Sequence, residues 1–178
     1  MIKTFSSEQE LEVFAKSLGE SALKSLKSSS GPVVFELIGD VGAGKTTFTR
    51  ALARGLGVTS PVTSPSFSVS NRYSFPLFSM KPESSSALIK SPSPNPEPSS
   101  ASEKPLKAPS FGTLIHYDFY RLDDPGIMRF ELEEALSDSS AVIVIEWGKD
   151  LSSLLPASRT KITFKILSEF ERELEIIS

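Results

Sequence analysis

Leu11, Phe14, Ala15, Leu18, Ala22 and Leu26 recur three or four residues apart, which places them on one face of a helix running from Thr4 to Lys27. Ser7, followed three residues later by Glu10, is a capping-box start, and the run from Ser28 to Gly31 ends the helix. The spacing then changes. Residues 33–38, VVFELI, form a short apolar run between Pro32 and Gly39 and predict a buried strand. Helical spacing returns from Lys45 to Leu56, with Phe48, Ala51, Leu52 and Leu56 inward. Ser66–Tyr73 and Thr113–Tyr120 read as strands, Pro125–Leu136 as an acidic helix, and Ala141–Glu146 as a second apolar strand. Lys161–Leu167 and Phe170–Ile177 alternate at period two around Ser168 and Glu169, the pattern of a hairpin. Strands interleaved with helices, closed by a hairpin, predict an α/β layer with a mixed sheet.

One block interrupts this order. Pro76 to Ser110 spans 35 residues and holds eight of the 13 prolines. Its centre, SPSPNPEPSSASEKP, has no apolar periodicity; proline removes backbone donors, and serine adds no burial to offset chain entropy. The block is expected to be a disordered insertion between ordered elements. Phe75, Leu77, Phe78 and Met80 are its exception, able to dock as one short apolar anchor. Without the block, 143 of the 178 residues remain, enough for one good core. The expectation is a single domain over 1–178, interrupted by 76–110.

Composition narrows the function classes. Lys and Arg total 19 against 22 Asp and Glu, for a formal net charge of −3 and a pI of about 5.3. Domains that grip nucleic acid alone usually carry a basic excess instead. The absence of cysteine excludes disulfides, thiolate zinc sites and cysteine nucleophiles. A single histidine, His116, excludes multi-histidine metal sites. No apolar run approaches the roughly 20 residues of a membrane span, and the N-terminus lacks the basic-then-apolar layout of a signal peptide. The expected setting is the cytoplasm, without a membrane.

The sharpest signal is Gly39-Asp40-Val41-Gly42-Ala43-Gly44-Lys45-Thr46, which matches G-x-x-x-x-G-K-[ST] between an apolar strand and an amphipathic helix. A polyphosphate surrounded by backbone N–H groups tolerates no obstructing side chains, so glycines belong here. The helix that begins near Lys45 turns its positive dipole end toward the anion. Lys45 adds a mobile cation for the terminal phosphates, and the Thr46 hydroxyl is a magnesium ligand. The pattern implies a nucleoside triphosphate site in a P-loop NTPase-like, three-layer α/β fold.

Such a site needs groups that hold magnesium and place the attacking water. Glu146 ends the AVIVIE strand, where a Walker-B acid would reach the carboxyl edge of the sheet beside the phosphate loop. A plain strand-end carboxylate is the alternative. In LIHYDFYR, His116, Asp118 and Tyr120 alternate on one face and Ile115, Tyr117 and Phe119 on the other. Asp118 is a candidate to bind magnesium through water or to orient the nucleophile. His116 is a candidate to hydrogen-bond a neighbouring loop, with a satisfied structural histidine favoured over a catalytic one, and Arg121 is expected to form a surface ion pair. Thr63, Ser64 and Ser66 in VTSPSF are either γ-phosphate sensors or parts of a hydroxyl-stabilised turn. Trp147, the sole tryptophan, either packs over the nucleotide site or a partner, or fills a core or rim position.

Together GDVGAGKTTFTRALARGLG, VTSPSF, HYDFYRL and IEWGKDL followed by LLP resemble the TsaE (YjeE) family of small P-loop ATPases in bacterial tRNA threonylcarbamoyladenosine synthesis. The stretches span residues 39–156, and HxDxYR with IEW is the specific part. The resemblance implies that residues 39–47 bind ATP, that Lys45 and Thr46 meet phosphate and Mg²⁺, and that Thr47 lies beside them. It also implies functional roles for Asp118, Glu146 and Trp147, with Glu146 and Thr46 at the metal. It implies that TsaD-like and TsaB-like proteins are partners, that ATP turnover resets their complex, and that tRNA is met only through it. The Ser/Pro-rich insertion departs from the short hairpin usual in the family. A P-loop kinase of a small metabolite and a nucleotide-gated binding module remain alternatives on the residues alone.

Overall fold

The computed structural model describes residues 1–28, 30–65, 68–77, 110–120, 126–148 and 151–178. A seven-stranded sheet has the order β1-β7-β6-β2-β5-β4-β3. Its strands are β1 (Ile2–Phe5), β2 (Val33–Ile38), β3 (Ser70–Pro76), β4 (Phe111–Asp118), β5 (Ala141–Glu146), β6 (Thr160–Ile166) and β7 (Arg172–Ile177). The described helices are α1 (Glu8–Leu26), α2 (Lys45–Leu56) and α3 (Gly126–Ala135). Strands β6, β2, β5 and β4 run parallel, whereas β3 and β7 join antiparallel at the two sides and β1 extends β7. The mixed sheet and the C-terminal hairpin match the sequence expectation.

Alternation along the central strands sorts side chains between two layers. Phe35, Leu37, Leu114, Val142 and Val144 face the core shared with α1 and α2. Val34, Ile115, Tyr117, Ile143 and Ile145 face the opposite core with Leu132 and Ala135 of α3. Both faces are thus covered, as a parallel sheet requires.

The α1 start follows its cap. Ser7 Oγ accepts the Glu10 amide at 3.2 Å, and Glu10 Oε2 accepts the Ser6 amide at 2.8 Å. Leu11, Ala15, Ala22 and Leu26 are buried as the spacing required, and Gly19 joins them. At Gly19 a Cβ would lie 2.1 Å from the Leu52 carbonyl oxygen, and at Gly55 it would lie 2.1 Å from that of Lys16. The two helices therefore touch backbone to backbone at a pair of glycines.

Several boundaries differ from the sequence reading. The first helix begins at Glu8 rather than Thr4, because residues 2–5 pair with β7, Ile2 opposite Glu175 and Phe5 opposite Arg172. The Ser66–Tyr73 strand is shifted to 70–76, and residues 66–67 lie outside the described residues. Pro76 belongs to β3, opposite Phe111, and the Leu77 amide donates to the Ser110 carbonyl at 2.9 Å. Proline is tolerated there because β3 is an edge strand. Of the expected apolar anchor, Phe75 is buried and Leu77 packs against the core; Phe78 and Met80 fall in 78–109, outside the described residues, with the rest of the expected insertion.

Candidate functional site

Strand β2 ends at Ile38 and the chain turns through residues 39–44 into α2. Gly39 and Gly44 have φ of 152° and 100°, which disfavours L side chains. At Gly39 a Cβ would also meet the Phe164 carbonyl oxygen at 2.8 Å. Gly44 caps α2 without any side-chain hydrogen bond, so no capping side chain competes for the first-turn amides. The Ala43 amide is used within the loop, donating to the Asp40 carbonyl at 3.1 Å.

Lys45 opens α2 and is buried. Its Nζ donates to the carbonyls of Gly39 and Asp40, both at 2.9 Å, and stands 4.6 Å from the centre of the Trp147 ring. Burial lowers the ammonium's pKa below the ordinary lysine value, while the carboxylates of Glu146, Asp118 and Asp40 work against that shift. The cation is held back against its own loop, beside the acids.

Register brings the two sequence-predicted acids together. Asp118 is paired with Glu146 across β4 and β5, and Glu146 with Leu37 across β5 and β2. Both acids stand at the carboxyl edge of the parallel strands, where ligands bind in open α/β sheets. Asp118 Oδ2 accepts from Ser64 Oγ at 3.2 Å, and Oδ1 accepts from the Tyr120 amide at 3.1 Å. An open cleft of about 390 Å³ is lined by Val41, Gly42, Gly44, Lys45, Thr46 and Thr47 on one side. Ser64, Asp118, Tyr120, Glu146 and Trp147 line the other. Gly39, Asp40 and Ala43 are not at its wall: the first two hold Lys45 through their carbonyls, and Ala43 is buried in the core.

His116 meets Glu146 and not a loop, with Nε2 2.9 Å from Oε1, and both side chains are buried. Nδ1 is buried and has no hydrogen-bond partner among the described residues. A buried N–H without an acceptor costs about 1–3 kcal/mol, so the proton belongs on Nε2 and donates to the carboxylate. His116 thereby fixes one oxygen of an acid that lines the cleft.

The segment before β3 divides its hydroxyls. Ser64 lines the cleft, whereas the Thr63 hydroxyl accepts from Asn71 Nδ2 at 3.4 Å and the Thr63 amide donates to the Tyr73 hydroxyl at 3.1 Å. Ser66 and Arg121 lie outside the described residues. Trp147 adopts a φ of 62°, a left-handed conformation unusual for a bulky residue. That turn directs the indole off the end of β5, onto Tyr120 at 4.9 Å between ring centres and onto Lys45. Trp147 lines the cleft and also packs against the core on the α3 side of the sheet, so both positions expected for it are occupied.

The acids, the Thr46 hydroxyl and the phosphate loop are all hard oxygen or amide groups, a set suited to Mg²⁺ held mainly by phosphate and water. Among the described residues, no group of three or more His, Asp and Glu is placed to hold a metal ion. No helix of the described residues is long and apolar enough to cross a membrane.

A glycine loop between a buried parallel strand and a helix with no side-chain cap, facing a carboxylate pair, defines a P-loop-type nucleotide-binding protein. The sequence model of the threonylcarbamoyl adenosine biosynthesis protein TsaE matches residues 5–80 and 100–174. The chain belongs to the TsaE family. The unmatched residues 81–99 fall inside the Ser/Pro-rich block. The chain is 29% identical over 145 residues to the tRNA threonylcarbamoyladenosine biosynthesis protein TsaE of Bacillus subtilis, covering 79% of this chain and 66% of that protein, just under two thirds. It is 33% identical over 153 residues to the protein of the same name in Streptomyces coelicolor, covering 83% and 76% of the respective chains. The crystal structure of Bacillus subtilis YdiB superimposes with a TM-score of 0.58 at 24% identity, covering 98% of this chain and 82% of that one, and so shares the fold. Membership of this family places the chain in threonylcarbamoyladenosine biosynthesis.

Proposed function

We propose that the chain binds and hydrolyses ATP with Mg²⁺, and that this cycle resets a complex of TsaD-like and TsaB-like proteins that modifies tRNA. The observation that supports it most is the pairing of Asp118 with Glu146 at the sheet edge, opposite Lys45 and the phosphate loop. In this reading residues 39–47 cradle the triphosphate, and Lys45 leaves the carbonyls of Gly39 and Asp40 to meet the terminal phosphates. Thr46 and Glu146 hold the metal. Bound Mg²⁺ would neutralise charge on the phosphate oxygens. Asp118, oriented by Ser64 and the Tyr120 amide, holds the metal through water or orients the attacking water. His116 keeps Glu146 in place.

A chain with net charge −3 has little to offer a tRNA backbone by itself. Contact with tRNA therefore runs through the partners, in the cytoplasm. Turnover is slow in isolation, because a partner can complete a P-loop site. The test is hydrolysis by the chain alone and with purified TsaD-like and TsaB-like proteins. Stimulation by partners, with Glu146→Ala retaining ATP binding but losing turnover, supports the reading. Normal hydrolysis by Glu146→Ala in their presence refutes the role of that acid. Accumulation of a phosphorylated metabolite would favour a small-molecule kinase instead.

A further inference from the structure

The strand that ends at Asp118 is braced by α3. Glu131 turns one carboxylate oxygen, Oε1, onto donors from two strands: Ser70 Oγ at 3.1 Å and Arg72 Nη2 at 3.2 Å on β3, and the Tyr117 hydroxyl at 3.4 Å on β4. Ser70 and Tyr117 are themselves paired across the two strands. Tyr117 is buried and stacks on Phe119, with ring centres 5.6 Å apart. Bonds that end on a carboxylate are stronger than neutral ones. Glu131 therefore clasps the junction where β3 begins and β4 ends.

That junction holds a strained backbone. Val69, immediately before β3, has a φ of 65°. A β-branched residue persists in the left-handed region only where its surroundings over-determine it. The Val69 amide donates to the Pro65 carbonyl at 2.7 Å, and the Ser68 amide donates to the same oxygen at 2.9 Å. The Val69 carbonyl in turn accepts the Asp118 amide at 2.9 Å. Just before Pro65, Ser64 donates to the Asp118 carboxylate at 3.2 Å. The strained turn thus grips Asp118 twice, by its main chain through Val69 and by its side chain through Ser64. Glu131 itself does not line the cleft.

Resting on the hydrolysis reading above, we propose that Glu131 is a positioning residue for that reaction. It acts through β3 and the turn at Val69, which hold Asp118 in place against the cleft. A small displacement of a group that orients a reacting water costs much in rate. The phosphate loop is built from other residues, so ATP affinity does not depend on Glu131.

The test is hydrogen exchange followed by NMR on the full chain. Calorimetry with ATP and Mg²⁺, and hydrolysis with purified TsaD-like and TsaB-like proteins, run beside it. In Glu131→Ala the Asp118 and Val69 amides should lose about tenfold in protection, while the amides of α2 keep theirs. Turnover should fall about tenfold, with ATP affinity within about twofold. Glu131→Gln, whose carbonyl oxygen accepts the same bonds, should recover most of the turnover. Val69→Gly in the Glu131→Ala background should recover part of it, because glycine holds that φ without strain.

Unchanged protection at Asp118 in Glu131→Ala overturns the proposal. Loss of protection throughout the chain, with affinity and turnover falling together, also overturns it, since Glu131 would then serve the fold alone. Lost protection at Asp118 with wild-type turnover overturns it by removing Asp118 from the reaction. A wild-type chain that binds ATP but does not hydrolyse it with its partners fails the hydrolysis reading itself, and the positioning role falls with it.

Discussion

His116 Nε2 and Glu146 Oε1 meet at 2.9 Å in the interior, although 30 residues separate them in the chain. They sit on adjacent parallel strands, and the next pair along the same face is Asp118 with Glu146 itself. The histidine thus acts on the site through the acid it holds.

Replacing His116 with phenylalanine keeps bulk but leaves the carboxylate without its donor. On the proposed metal role of Glu146, hydrolysis in His116→Phe should fall about tenfold or more, with ATP affinity within about threefold. The lost donor should also cost about 1–3 kcal/mol of stability. His116→Gln, which can still donate, should recover part of the rate. Steady-state kinetics beside calorimetry checks this; an equal loss of affinity and turnover would assign His116 a purely structural role.

The contact between α1 and α2 predicts a sharp penalty for a single methyl group. Gly19→Ala and Gly55→Ala each drive a Cβ to 2.1 Å from a carbonyl oxygen. Each should destabilise the fold by about 3 kcal/mol or force the helices apart. Urea unfolding measures the first effect. Gly31→Ala, where a Cβ meets nothing within 4 Å, is the control.

Tyr117 supplies a pH dependence. Burial raises its phenol pKa well above the ordinary tyrosine value, and the Glu131 carboxylate adds to the shift. A raised folded-state pKa means that the folded chain holds the proton more tightly than the unfolded chain. The stabilisation is therefore full below the unfolded tyrosine pKa of about 10 and is lost as pH rises from there toward the folded value. Tyr117→Phe should flatten the fall in stability above the ordinary tyrosine pKa, which is checked by urea titrations across that range. An unchanged slope would show that Tyr117 titrates as it does in the unfolded chain.

Local signals carried most of the elements. The face of α1 was legible because Leu11, Ala15, Ala22 and Leu26 fall at helical spacing and its cap lies within four residues. The phosphate loop was legible because its glycines, lysine and threonine are contiguous. Strand β1 was not, because its four residues gain meaning only by pairing with β7 at the far end of the chain. Glu36 is similar: it sits buried in β2, where its partner is Arg159 at 2.6 Å, 123 residues away. The acids could each be picked out as candidates, but the His116 contact depends on the register of β4 against β5. The left-handed turn at Trp147 has no glycine to announce it.

All of the chemistry assigned to the cleft depends on the phosphate loop holding a triphosphate. Titrating the chain with ATP, or with an analogue that resists cleavage, at saturating Mg²⁺ measures this by heat. One-to-one binding that disappears in Lys45→Ala is the expected result. No detectable affinity in the wild-type chain, or undiminished affinity in Lys45→Ala, would contradict it.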